Sequence, residues 1–339
     1  MKKKYLFYIS QNYAFEILRP IEEAIMVQGN QCVWFVEGSE VDFNYFSDSQ
    51  TVLPDIQFAV DYRPDAVIVP GNLVPDFISG LKVQVFHGLE WKKKGHFAIR
   101  GFFDLYCTHG QITTQRFNQL AKKHQYFRVI ETGWPKLDPL FSCQPYQLQT
   151  KKPVILFAPT FSPNLTCAVK AFDEISRLVK SRKYHWLVKF HPKMKKEWID
   201  LYRAIECENL QIIDTDSILP LLKRADILIS DTSSVIGEFL LLNKPAITIN
   251  NAKPNDYLID IHSPDELEQS ISQALLKPES LMNKIKNENQ LIHPYQDGKS
   301  AERILAAIDQ CINESQQKKK PLNIIRKLKL RKKLGYWKF

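Results

Sequence analysis

Short apolar runs, each followed by a stretch of helical spacing, divide most of the chain. Runs at 5–9, 31–36, 66–70, 82–86, 104–107 and 127–131 predict six strands. A helix is predicted over 15–27, a short one after 66–70, and a polar one over 112–123. The theme repeats with strands at 153–159, 185–190, 209–214, 226–230 and 245–249. Helices are expected over about 168–181, after His191-Pro192, around 218–223, over about 234–242 and from Pro264 onward. Strand–helix–strand alternation at this spacing predicts α/β structure with mostly parallel sheets. A polar, Pro- and Gln-containing stretch at 142–152 separates the halves. The expected architecture is two Rossmann-like domains facing across a cleft, at 1–142 and 151–313. A last helix over about 299–313 and a basic amphipathic tail at 314–339 complete it.

Composition narrows this picture without redirecting it. With 339 residues, 44% hydrophobic and 24% charged, the chain is neither disordered nor fibrous. No apolar run approaches the ~18 residues of a bilayer span. Ser10, Gln11 and Asn12 interrupt the first apolar stretch, so it reads as a strand rather than a signal peptide, and a cytoplasmic location is expected. The six cysteines (32, 107, 143, 167, 207 and 311) form no CxxC pair and have no histidine at zinc spacing, which predicts reduced thiols and no metal site. Asp214-Thr215-Asp216 has DxD spacing but reads as a turn and cap.

Charge matters once it is located. Net charge is +9, yet residues 318–339 hold ten Lys or Arg and no acid, and 9 − 10 leaves residues 1–317 at −1. A nucleic-acid-binding body is therefore disfavoured. In the tail, Ile324, Ile325, Leu328, Leu330 and Leu334 recur at roughly helical spacing, with Tyr336, Trp337 and Phe339 at the end. That pattern predicts docking of residues 318–339 on an anionic membrane surface, with a solubilising tail and an RNA-binding tail as the competing readings.

In open parallel sheets, ligands bind beyond the carboxyl ends of strands. The residues there are His87-Gly88, Pro159-Thr160, His191-Pro192 and Asp231-Thr232-Ser233-Ser234. A histidine followed by glycine suits a general base, or equally a packing histidine. The Asp-Thr-Ser-Ser turn suits an anion site, or an ordinary helix cap. The loop from His87 to Gly95 adds Lys92, Lys93 and Lys94 beside the histidine. There is no GxGxxG, GxxxxGK[ST] or HExxH, so nucleotide-cofactor redox, P-loop and zincin chemistry are not supported.

Together these motifs resemble the CDP-glycerol:poly(glycerophosphate) glycerophosphotransferase family of teichoic-acid polymerases and primases. Its HGxxxKxxG corresponds to His87, Gly88, Lys92 and Gly95. Gly133-Trp134-Pro135-Lys136-Leu137-Asp138 and Phe157-Ala158-Pro159-Thr160 follow, then Lys189-Phe190-His191-Pro192. The block from Ser217 through Pro245 and the stretch from Asp297 to Arg303 complete the set. The resemblance implies a GT-B-like fold and transfer of a polyol phosphate from CDP-glycerol or CDP-ribitol to a glycan or lipid-linked hydroxyl, at the inner face of the cell membrane. It implies His87 as base. His191, Ser233 and Ser234 would act on the diphosphate, with Thr160, Lys189, Asp231 and Thr232 beside them. Glu238 would lie at the cytidine ribose, and Gly88, Lys92, Lys136 and Asp138 would be further substrate-binding residues. No cofactor is implied. A GT-B glycosyltransferase using a nucleotide-sugar donor is the alternative on the same plan.

Overall fold

The computed structural model describes residues 2–89, 96–215, 217–314 and 319–338. Lys92, Lys93, Lys94, Gly95, Asp216 and Phe339, named above, lie outside the described residues. The chain forms two compact units, one of Met1–Asp138 with Leu291–Phe339, the other of Pro139–Gln290.

In unit 1 the chain runs β1 (Lys4–Ile9), α1 (Tyr13–Val27), β2 (Gln31–Val36), α2 (Ile56–Asp61), β3 (Ala66–Val69), β4 (Leu81–Gln84), β5 (Leu105–Thr108), α3 (Gln111–His124) and β6 (Arg128–Glu131). The strands pair in parallel in the order β2-β1-β3-β4-β5-β6. β3 and β5 are buried at every position, as a sheet covered on both faces requires, and that is why their sequences read as unbroken apolar runs. The helix expected after β3 does not form; residues 70–80 are turns and irregular chain. β4 stops short of Phe86 because Phe86 has φ +57°, which breaks the extended backbone.

The chain leaves unit 1 through α4 (Asp138–Ser142). Unit 2 follows with β7 (Val154–Phe157), α5 (Phe172–Lys180), β8 (His185–Val188), α6 (Lys196–Arg203), β9 (Leu210–Ile212), α7 (Leu219–Arg224), β10 (Ile227–Ser230), α8 (Val235–Leu240), β11 (Ala246–Ile249), β12 (Ile259–Ile261), α9 (Leu267–Leu275) and α10 (Glu279–Ile292). Its parallel sheet has the order β12-β11-β10-β7-β8-β9. Ile155, Phe157, Trp186, Val188, Ile227 and Ile229 join Ile175 and Leu178 of α5 in one core.

The chain then returns to unit 1. α11 (Ser300–Asn313) packs against α1, β4 and β5, and buries Ile304, Leu305 and Ile308. α12 (Ile324–Leu334) buries Leu330 in the core of unit 1, with Leu334 partly buried beside it. The ring of Tyr336 stacks on Phe77 with centroids 4.4 Å apart. Lys320 pairs with Asp104 at 2.7 Å and Lys327 with Asp76 at 3.4 Å. The domain limits expected from sequence therefore shift: residues 291–313 fold with unit 1, and the tail is a packed helix of that unit rather than a separate segment. Among the described residues, no helix is long and apolar enough to cross a membrane.

Candidate active site

Each sheet has one topological switch point, where successive connections depart in opposite directions and leave a crevice at the strands' carboxyl ends. In unit 1 it lies between β1 and β3. In unit 2 it lies between β7 and β10. Both crevices are furnished with polar groups.

In unit 1 the crevice is a pocket of about 250 Å³, lined by Tyr8 and Ser10 from the end of β1 and Gly71 and Asn72 beyond β3. His87 lies at its edge. Phe86, buried and left-handed, anchors the turn by stacking on His96 at 5.2 Å and packing on Phe117 at 5.1 Å, and the next residue, His87, is exposed. A bulky residue at positive φ persists only where its surroundings over-determine it, and such residues cluster at functional sites. The His87 ring lies 5.7 Å from that of Tyr13. Arg100, Glu37 and Lys333 also line it. Sequence reasoning missed Tyr13, Arg100, Glu37 and Lys333, because their meeting depends on strand order and on where α12 docks. A larger hollow of about 650 Å³ lies along α1 and the start of β2, at the opposite end of those strands from the carboxyl-end residues. The smaller pocket is the better candidate on chemistry.

In unit 2, Asp231 follows β10 and is fully buried. Its carboxylate accepts hydrogen bonds from the backbone N–H groups of Thr160 (3.1 Å), Cys167 (3.0 Å) and Thr232 (2.7 Å). That is a clamp between β7, β10 and the chain entering α5, so the carboxylate is occupied by backbone rather than open to a ligand. The Thr232 hydroxyl accepts from Ala252 N–H at 2.9 Å. Ser233 is half-buried and Ser234 exposed, just ahead of the six-residue α8, and the Ser233 hydroxyl is 3.4 Å from Val235 N–H. Glu238 is half-buried one turn into α8. Thr160, at the end of β7, is half-buried on the other side of the switch point.

His191 follows β8. Its Nδ1 accepts from Lys193 N–H at 3.0 Å, which assigns the ring proton to Nε2, and its ring packs 4.3 Å from Phe161. Loss of hydration, then the ammonium groups of Lys193 and Lys189, lower its pKa. At neutral pH it is thus an uncharged N–H donor. The Lys189 ammonium donates to Phe190 carbonyl at 3.2 Å.

Lys136 and Asp138 fall elsewhere in unit 1, in a joint that ties the returning chain to the sheet. Asp138 is buried and accepts from Ser300 N–H (2.9 Å) and Ala301 N–H (2.7 Å), capping α11. Lys136 pairs with Glu16 at 2.9 Å and lies over the Trp134 ring. Gly133 has φ +82°, and a Cβ there would come within 2.5 Å of the Ser300 hydroxyl. These motif residues hold the unit together.

The same joint makes stability depend on pH. His293 is buried and its Nε2 accepts from Trp134 N–H at 2.9 Å. Burial, the largest cause, pushes its pKa down to about 4. An unfolded histidine titrates near ~6.5, so the folded state binds fewer protons. The stability contributed by the neutral ring is present above pH ~6.5 and is lost as the pH falls toward 4, at up to ~1.4 kcal/mol per pH unit. Urea midpoints taken from pH 7 down to 4.5 should decline, and His293→Gln, which keeps an acceptor for Trp134, should flatten part of that decline. An unchanged slope in the variant would remove His293 from the account.

A family model described as CDP-glycerol:poly(glycerophosphate) glycerophosphotransferase matches residues 101–310. Teichoic acid ribitol-phosphate polymerase TarK of Staphylococcus aureus (strain NCTC 8325 / PS 47) is 27% identical over 206 residues, 52% of this chain and 40% of that protein. Teichoic acid glycerol-phosphate primase of Bacillus subtilis (strain 168) is 28% identical over 242 residues, 63% of this chain and 61% of that protein. In both cases the match spans less than two thirds of the relative. Among solved structures, the wall teichoic acid polymerase TagF aligns with a TM-score of 0.60 at 14% identity, covering 92% of this chain and 89% of that one. A UDP-N-acetylglucosamine 2-epimerase aligns with a TM-score of 0.62 at 15% identity, covering 94% and 99%. At such identities the likeness is one of fold, the two-domain α/β architecture of GT-B type.

Proposed function

The chain belongs to the CDP-glycerol:poly(glycerophosphate) glycerophosphotransferase family, and from that premise we propose that it transfers a polyol phosphate, glycerol phosphate foremost, from a CDP-linked donor to a hydroxyl of a glycan or lipid-linked acceptor. The observation that carries most weight is the furnishing of unit 2's switch point, inside the matched segment, with Thr160, Ser233 and Ser234 and with the neutral His191 donor beyond the adjoining β8. Hydroxyl and imidazole N–H groups are what a diphosphate needs when it must be held and then released as CMP.

In the proposed step the acceptor oxygen attacks the phosphorus that bears the polyol, in line with the departing CMP oxygen. A P–O bond to the acceptor forms and the P–O bond to CMP breaks, with the electron pair leaving on CMP. The hydroxyl proton passes to His87, an imidazole at the edge of the unit 1 crevice. The Nε2–H of His191 and the hydroxyls of Ser233 and Ser234 offset the charge that develops on CMP. Glu238 accepts from the cytidine ribose hydroxyls. Incubating the full chain with CDP-glycerol, CDP-ribitol and nucleotide sugars, each with a hydroxyl-bearing acceptor, tests the reading. CMP release from a CDP-polyol alone is expected; turnover of a nucleotide sugar instead would overturn it.

The same reading has the enzyme working peripherally at the inner face of the cell membrane, through residues 318–339. The packing of α12 supports a specific outer face. At 100° per residue, Ile324, Leu328, Lys332, Ile325 and Lys329 share one arc, and all five are exposed. Leu322 and Trp337 are exposed before and after it. Apolar side chains flanked by lysines suit an interface with anionic lipid. Deleting the tail would strip Leu330 from the core, so point substitutions make the cleaner test. Ile325→Asp with Leu328→Asp should lower binding to phosphatidylglycerol vesicles at least ~10-fold without lowering the melting midpoint. Undiminished vesicle binding would reject this face.

A further inference from the structure

We propose that the unit 1 switch-point pocket is a subsite for a phosphate group on the acceptor, held by the cations Arg100 and Lys333, the latter from α12. The proposal rests on the transferase reading above and adds where, and through which side chains, the acceptor's own phosphate is held.

Size comes first. At about 250 Å³ the pocket is smaller than the ~300–1,000 Å³ usual for larger organic ligands. It suits one phosphorylated polyol unit and not a nucleoside diphosphate. Charge comes second. Among the described residues, Arg100 and Lys333 line it against a single carboxylate, Glu37, with Ser10, Gln11 and Asn72 as neutral polar groups. An excess of cations beside hydroxyl and amide groups is an anion's environment.

Lys333 is held there by Glu37. Glu37 has a side chain only 5% exposed and takes hydrogen bonds from two sides, from the Tyr8 hydroxyl and from the Lys333 ammonium. Burial and the adjacent Glu37 raise the Tyr8 pKa, so the phenol stays a donor and the carboxylate stays the acceptor. Lys333 itself is 59% exposed. An ammonium carries three donors, and Glu37 needs one, so donors remain for an incoming phosphate. The buried carboxylate is in effect a post that holds a surface lysine over the pocket.

α12 is fixed at both ends around this pocket. Asn323, at its start, donates from its side-chain amide to the carbonyl of Arg100 at 2.7 Å. Near its end, Arg331 lies 4.7 Å from the Phe77 ring, and Tyr336 stacks on the same ring. Phe77 lies a few residues after the pocket-lining Gly71, Asn72 and Leu73. The helix thereby brackets one cation, Arg100, and supplies the other. His87 lies on the same lining, so a phosphate held by Arg100 and Lys333 would keep a neighbouring polyol hydroxyl within that lining, beside the base.

The test uses the full chain and sn-glycerol 3-phosphate as the probe, measured by calorimetry, with CDP-glycerol binding measured in parallel. Lys333→Gln should weaken glycerol phosphate binding roughly 10- to 100-fold, the loss typical of a charge-assisted hydrogen bond. CDP-glycerol affinity should stay within twofold, and Lys333→Arg should recover most of the loss. Arg100→Gln, which leaves the Glu37 pair intact, serves if Lys333→Gln melts early and should weaken the probe similarly. In turnover, Lys333→Gln should raise KM for an acceptor ending in glycerol phosphate and leave KM for a phosphate-free acceptor unchanged. Phosphatidylglycerol vesicles added alongside the soluble probe should not displace it; displacement would assign the cations to lipid headgroups and overturn the proposal. Equal probe binding by the wild type and both glutamine variants would also overturn it. Probe binding lost in the variants, with no CMP released by the wild type, would leave the pocket standing and remove the transferase reading instead.

Discussion

Replacing His87 by alanine is expected to lower CMP release from CDP-glycerol by roughly 10²–10⁴, the range for losing a general base. His87 follows a strand of the sheet interior, is turned outward by a left-handed Phe86, and lines the crevice between β1 and β3. His87 is exposed and its ring lies beside that of Tyr13, so the substitution should change the unfolding free energy by no more than ~0.5 kcal/mol. CDP-glycerol affinity should also hold, because the donor groups named above belong to other residues. Rate, stability and donor affinity measured together separate a base from a structural histidine. Turnover near that of the wild type would remove His87 from the mechanism.

Much of this was legible in the sequence because parallel strands announce themselves. The runs at 5–9, 66–70, 153–159 and 226–230 became β1, β3, β7 and β10 within a residue or two, since a strand buried on both faces has no polar positions to blur it. β12 escaped notice because its three residues, Ile259–Ile261, include Asp260, which accepts from the Thr248 hydroxyl. Boundaries set by distant contacts were not legible. The end of unit 1 depends on Asp138 capping α11 and on His293 receiving Trp134, groups some 160 residues apart in the chain, and no local pattern encodes such a pairing. The tail's composition revealed an amphipathic helix, but not that Leu330 faces a protein core while Ile325 faces out. The site residues divide the same way. Hydroxyls and histidines at strand ends were visible as candidates. That Asp231 and Asp138 spend their carboxylates on backbone N–H groups, and Lys136 pairs with Glu16, took the packing to see.

Asp231 gives that division its sharpest test. Alanine there removes the acceptor of three backbone N–H groups, at Thr160, Cys167 and Thr232, in a place with no access to water. A buried donor left without a partner costs about 1–3 kcal/mol, and the deleted carboxylate leaves a void besides. With partial relaxation of the loop after β7, the expected loss is roughly 3–5 kcal/mol, a large share of what a domain has to spare. Asp231→Asn should lie between, because its amide keeps one acceptor oxygen but turns a donor toward another donor. Denaturation of the full chain, followed with CDP-glycerol binding at a temperature where each variant is folded, separates the two roles. The transition assigned to unit 2 should fall first and furthest, and donor affinity should fall with it because Thr160 and Ser233 lose their fixed spacing. An alanine variant that melts like the wild type yet no longer binds CDP-glycerol would mean that the carboxylate touches the donor, and the clamp assigned here would be wrong.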